Sequence, residues 1–94
     1  MIKVRLSGFI VVPESDLNLV LSELPNHINL TREEAGSISF YVRQSDSDPC
    51  RFDVDEEFQS REAFEHHQLR VKASYWGKVT SNVERHYDIT EEET

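Results

Sequence analysis

Residues 52–58, read Phe-Asp-Val-Asp-Glu-Glu-Phe, alternate between apolar and acidic side chains with one exception. A period of two places Phe52, Val54, Glu56 and Phe58 on one face of a strand and Asp53, Asp55 and Glu57 on the other. The first set must face a core, so Glu56 is a carboxylate where an apolar residue belongs. Burial of an unpaired carboxylate is costly, so Glu56 requires a partner, a raised pKa or contact with water. A structural ion pair, or a bulge that turns Glu56 outward, is the alternative to a chemical role.

The same conflict recurs in the next segment. Ser60 is suited to cap a helix and Glu62 to its first turn. Ala63, Phe64, His67, Val71, Ser74 and Tyr75 then follow helical spacing on one side. This predicts a helix over residues 60–74 that stops at Gly77, with His67 on or beside its apolar stripe. His66 sits about 100° round the helix and faces solvent. A histidine at the position of His67 is either a satisfied core residue or a general base, and a carboxylate from the preceding strand can orient it. Glu56 and His67 are therefore the candidate catalytic pair.

The remaining segments set the architecture. Residues 2–12 alternate at first (Ile2, Val4, Leu6) and end apolar on both faces, which predicts a strand buried at one end and closed by Pro13. Leu17, Val20, Leu21 and Leu24 form a helical stripe. Pro25 is expected to break that helix and start a short second piece through His27, Ile28 and Thr31, with Gly36 as its stop. Residues 37–44 predict a strand with Ile38, Phe40 and Val42 inward, and residues 45–49 predict a hairpin loop. Residues 82–89 predict a last strand, and the acidic residues 90–94 a solvated, disordered tail.

The order β-α-β-β-α-β predicts an α+β fold of the ferredoxin-like type: a four-stranded antiparallel sheet with both helices on one face. One domain over residues 1–89 accounts for it. The open sheet face carries Phe9, Val11 and Tyr41 among polar residues, and a second copy of the chain is the simplest cover.

Composition narrows the function classes. A formal charge of −8 over 94 residues disfavours nucleic acid and anionic membranes as partners. A single cysteine, Cys50, excludes an intrachain disulfide and a cysteine-rich zinc site. No long apolar run or secretory leader is evident, so a cytoplasmic protein is expected. Glycine-rich phosphate loops, a nucleophile elbow and nucleotide fingerprints are missing. His27 and His86 lie far from His67 in sequence, and no metal site is expected.

Three stretches carry a family resemblance: Leu30-Thr31-Arg32-Glu33-Glu34-Ala35-Gly36-Ser37-Ile38-Ser39-Phe40, then Arg51-Phe52 through Glu56 and Phe58, then Ala63-Phe64-Glu65-His66-His67. The glutamate two residues before a strand-end aromatic, and the alanine and large apolar residue ahead of a helix histidine, resemble the antibiotic biosynthesis monooxygenase superfamily. Ser74, Trp76 and Arg85-His86-Tyr87 are also similar to it. The resemblance spans nearly the whole chain.

It implies a homodimeric α+β barrel with a pocket between sheet and helices in each protomer. It also implies a cofactor-independent monooxygenase acting on an aromatic small molecule, a phenol or quinol, with dioxygen. In that reading His67 is the base and Glu56 orients it. Trp76 and Phe64 shape the aromatic pocket, and Arg85 or Tyr75 stabilises the oxyanion. The haem-degrading branch resembles a pocket of asparagine, tryptophan and histidine, whereas the first strand here offers Ser7. A non-catalytic binding or stress-response module, or an isomerase using the same base, remains as an alternative.

Overall fold

The computed structural model describes residues 2–93. Its elements are β1 (Ile2–Val11), a 3-10 turn (Glu14–Asp16), α1 (Leu17–Arg32), β2 (Ser37–Gln44), β3 (Arg51–Phe58), α2 (Arg61–Ala73), α3 (Tyr75–Val79) and β4 (Glu84–Glu93). The strands form one antiparallel sheet in the order β2-β3-β1-β4. This is the ferredoxin-like arrangement, because each β-α-β crossover skips over one strand position.

The helices cover one face of the sheet. The core beneath them is built from Leu6 and Ile10 of β1, Phe52 and Val54 of β3, Val20 of α1, and Trp76 and Val79 of α3. These are the inward positions of the alternating patterns, and the hydrophobic effect selects that register over a slip by one residue. Gly8 sits in the centre of β1 at φ 147°, and a Cβ there would lie 1.9 Å from the His86 carbonyl oxygen of β4. Only glycine allows β4 to approach so closely at that point.

Four features differ from the sequence reading. Pro25 lies inside α1 and does not break it. The residue is exposed, so the carbonyl it leaves unpaired meets water, and burial of Val20, His27 and Thr31 on either side holds the helix continuous. Leu21 and Ile38, expected inward, are exposed at 37% and 53%. Ile38 falls at a register irregularity between Ser37 and Ser39, and a bulge there re-aims the side chain.

The second helix ends at Ala73, and Ser74 starts a new one by accepting a hydrogen bond from the Gly77 amide. Gly77 therefore lies within α3 and not beyond a helix end. Lastly, the disordered tail expected over residues 90–94 is, over its described part, the end of β4. Glu91, Glu92 and Glu93 are opposite Val4, Lys3 and Ile2 of β1. Backbone pairing needs no apolar side chain, and the acidic run meets cations there: Lys3 Nζ lies 3.7 Å from Glu92, and Arg61 pairs with Glu91.

Candidate functional site

A cavity of about 260 Å³ lies between the sheet and the helices. All four strands and all three α-helices contribute to its walls: Leu6 of β1, Phe40 of β2, Glu56 of β3, His27 of α1, His67 of α2 and Trp76 of α3 are among the lining residues. Arg85 and Tyr87 of β4 also line it and are exposed, which places them at its rim.

Glu56 arrives on the inner face of β3, as the alternation requires, and is 7% exposed. His67 arrives from the second turn of α2, fixed by the Ser60 cap, whose hydroxyl accepts from the Ala63 amide at 3.1 Å. The ring lies among Phe58 and Phe40, at centroid distances of 4.8 and 5.7 Å. The two candidate residues thus meet: His67 Nε2 is 3.7 Å from Glu56 Oε1. That is close contact but too long for a hydrogen bond.

The carboxylate that orients the ring is Glu34, in the turn just after α1. His67 Nδ1 lies 2.9 Å from Glu34 Oε2. With the carboxylate as acceptor, the Nδ1 edge carries the proton and the Nε2 edge presents a lone pair toward Glu56. Arg70 holds Glu34 from the other side through its Nε and donates from Nη2 to Thr31 Oγ1 at 3.0 Å. Thr31 Oγ1 in turn donates to the His27 carbonyl at 2.9 Å. The chain from Thr31 through Arg70 and Glu34 to His67 clamps α1 to α2.

The electrostatics separate an acid from a base. Burial, together with repulsion from Glu34 and Asp55, pushes Glu56 up to about 8. It is a neutral carboxylic acid at pH 7. Burial lowers the pKa of His67, and the ion pair and hydrogen bond with Glu34 partly offset that effect. Neutral imidazole is the resting form. Environments that drive two neighbouring titratable groups apart in this way suit acid–base chemistry.

Trp76 and Arg85 also reach the cavity. The Arg85 guanidinium is held by the Thr80 carbonyl and hydroxyl, both at 3.2 Å from Nη2. Phe64 lies away from the cavity wall, edge-on to Phe58 at 5.6 Å. Tyr75 is 54% exposed and also outside the wall, because the new start at Ser74 turns it outward. Sequence reasoning missed Glu34, Arg70 and His27. Glu34 closes the α1 segment and resembles a solvated helix-end residue, and nothing in the spacing links it to His67, 33 positions later. Among the described residues, no group of three or more histidine, cysteine or acidic side chains is arranged to hold a metal ion. No helix among them is long and apolar enough to cross a membrane.

Comparison with known proteins agrees with this architecture. A protein of unknown function from Bacteroides thetaiotaomicron, described as a possible oxidoreductase, superposes with a TM-score of 0.78 at 20% identity, covering 95% of this chain and 96% of that one. A Pseudomonas aeruginosa protein gives a TM-score of 0.78 at 18% identity, over 100% and 95% of the two chains. A Nitrosomonas europaea protein, provisionally described as an antibiotic biosynthesis monooxygenase, gives 0.72 at 16% identity, over 99% and 89%. At such identities these likenesses concern the fold alone. No curated protein matches the chain in sequence at a significant level. A sequence model described as "antibiotic biosynthesis monooxygenase" matches residues 4–70. With that match over most of its length, the chain belongs to the antibiotic biosynthesis monooxygenase family.

Proposed function

We propose that the protein is a cofactor-independent monooxygenase of a phenolic or quinol-type small molecule, with His67 as general base and Glu56 as general acid. One observation carries the reading: His67 is pinned by Glu34 at Nδ1 and turns Nε2 toward a buried, protonated Glu56 within a cavity.

The chemistry balances without an external reductant. A quinol and one dioxygen give a hydroxyquinone and one water, and all four electrons come from the substrate. Triplet dioxygen reacts slowly with a closed-shell phenol, whereas the phenolate readily gives up one electron. His67 Nε2 takes the O–H proton, and Glu34 stabilises the imidazolium that forms. The phenolate and dioxygen then join as a ring-bound peroxide. The His67 imidazolium returns its proton to the outer peroxide oxygen. As the O–O bond then breaks, Glu56 protonates the departing hydroxide to water, its carboxylate takes up the ring C–H proton, and the new carbonyl remains. Trp76 stacks beside the ring, and Arg85 at the rim stabilises anionic oxygen.

The same proposal includes a homodimer. The sheet face away from the helices carries Tyr41, 56% exposed, and a stack in which Arg51 lies 3.8 Å over Phe9 and Phe9 lies 4.6 Å from His86. Face-to-face association of two such sheets covers these groups. Sedimentation at micromolar concentration is expected to report a dimer, and a monomer overturns that part.

The decisive experiment is oxygen uptake by metal-stripped protein with a panel of quinols and polyphenols. Uptake by wild type and its loss, by about 10²-fold or more, in His67→Ala is the expected result. Uptake that is unchanged in His67→Ala refutes the base. Silence across the panel favours the alternative, a non-catalytic binding module, for which the Arg70–Glu34–His67 clamp between helices is a sufficient structural role. Deuterium exchange into a bound ligand without oxygen uptake identifies a proton-transfer enzyme.

A further inference from the structure

His27 is used by none of the steps above, yet it lines the same cavity and is 4% exposed. It projects from the third turn of α1 between Phe40 and Trp76. Its ring lies flat on Trp76, with centroids 4.4 Å apart and planes 4° from parallel, and 6.3 Å from the His67 ring. Phe40 meets it edge-on at 5.3 Å. Its Nδ1 is sealed from solvent without a hydrogen-bond partner, the only buried side-chain nitrogen or oxygen in that state among the described residues.

A neutral imidazole carries one N–H and one lone pair. His27 is neutral throughout the physiological range, since burial and the flanking His67 and Arg70 push it down to about 3. A sealed N–H with nothing to receive it is a rarer defect in proteins than a sealed lone pair. The proton therefore belongs on Nε2, and the ring's approach to the cavity runs through the edge that carries it.

We propose that His27 presents Nε2–H to the cavity as the hydrogen-bond donor that anchors a ligand's acceptor oxygen, opposite the proton-accepting Nε2 of His67. The inference rests on the reading of this cavity as the ligand site. It divides two buried imidazoles between two duties, and it specifies the ligand further. The ligand carries a carbonyl or ring-bound acceptor oxygen for His27 as well as an acidic O–H for His67. At about 260 Å³ the cavity is slightly smaller than the range of about 300–1,000 Å³ for drug-sized ligands. One or two fused rings suit it, and larger polycycles do not.

The test uses a matched pair of bicyclic probes, 1-tetralone with a carbonyl and tetralin without one. Neither has an acidic O–H, so neither depends on the base or on oxygen chemistry. In His27→Phe the stack on Trp76 is kept and the donor removed. The tetralone dissociation constant is expected to rise about 3- to 10-fold in this variant, with tetralin binding unchanged. Equal weakening of both probes, or of neither, overturns the proposal. In wild type, nitrogen-15 spectra of labelled histidine are expected to show His27 as the Nε2–H tautomer, with that proton shifting on addition of tetralone. An Nδ1–H tautomer, or no shift with tetralone, overturns it without recourse to a variant. Oxygen uptake without probe discrimination removes the role of His27 and leaves the oxygenase. Discrimination without uptake does the reverse.

Discussion

Asp55 and Glu56 are neighbours on one strand and have opposite fates. Asp55 is on the outer face and accepts two hydrogen bonds from Arg5 of β1, at 2.9 and 3.2 Å, with both side chains more than 40% exposed. Glu56 is on the inner face, where the neutral imidazole of His67 lies 3.7 Å away. A solvated pair on the outside is screened by water and contributes little. On the inside, burial without a close cation converts the same functional group into a neutral acid. The strand thus keeps its charge where water tolerates it and its chemistry where water is excluded.

The largest effect is expected at the residue that holds the inner face together. Glu34→Ala leaves His67 and Arg70 without their shared carboxylate, and urea unfolding should show a loss of about 3 kcal/mol. A loss as small as that of an exposed substitution would mean that the clamp between α1 and α2 is not a stabilising contact.

Next comes the pH dependence of stability. Glu56 has a folded value near 8 against an ordinary 4.5. Between those limits the folded state keeps a proton that the unfolded state has released, so stability falls as pH rises. His27 runs the other way, with a folded value near 3 against 6.5. Over that range the unfolded state binds the extra proton and stability rises with pH. His67, also shifted down, adds to the rise. Above about pH 7.5 the unfolded-state histidines have largely released their protons, and only Glu56 of the three is still changing. Glu56→Gln, a neutral mimic of the protonated acid, should flatten the decline there and exceed wild type at pH 8 by on the order of a few kcal/mol. A decline that persists in Glu56→Gln would place its source elsewhere. His27→Phe should reduce the rise below pH 6.5 without altering the decline above it, and thermal unfolding across pH 4 to 8 reads both.

The smallest effect belongs to the outer face. Asp55→Asn should leave the denaturation midpoint within experimental scatter, because the pair it breaks is solvated. A clear shift in protein that sediments as a dimer, and none in monomer, would locate Asp55 within the interface between two sheets.

Much of this was legible in the chain. The alternation over residues 52–58 put Glu56 inside, and the Ser60 cap with its following stripe put His67 on the buried side of a helix, because strand and helix periods act over a few residues. The order of the elements, with the short links between them, restricted the topology to a ferredoxin-like sheet. The family resemblance added the expected chemistry. Pro25 and the acidic end of β4 misled for one reason. Local propensity marks where an element is costly, while the packing of His27 and Thr31 and the ladder between β1 and β4 decide whether it continues.

What the sequence alone determined is therefore which residues face inward. Which of them meet was decided by the tertiary structure. His67 finds Glu34 across 33 positions, Arg70 closes the clamp onto Thr31, and His27 comes to rest on Trp76 from another helix. Of the same predicted stripe as His67, Tyr75 falls outside the cavity once α2 ends and α3 begins, and Phe64 packs on Phe58 and not on the cavity wall. Side-chain period is a property of neighbouring residues. Contact across a cavity depends on how whole elements cross, and that follows from burying all of their apolar faces at once.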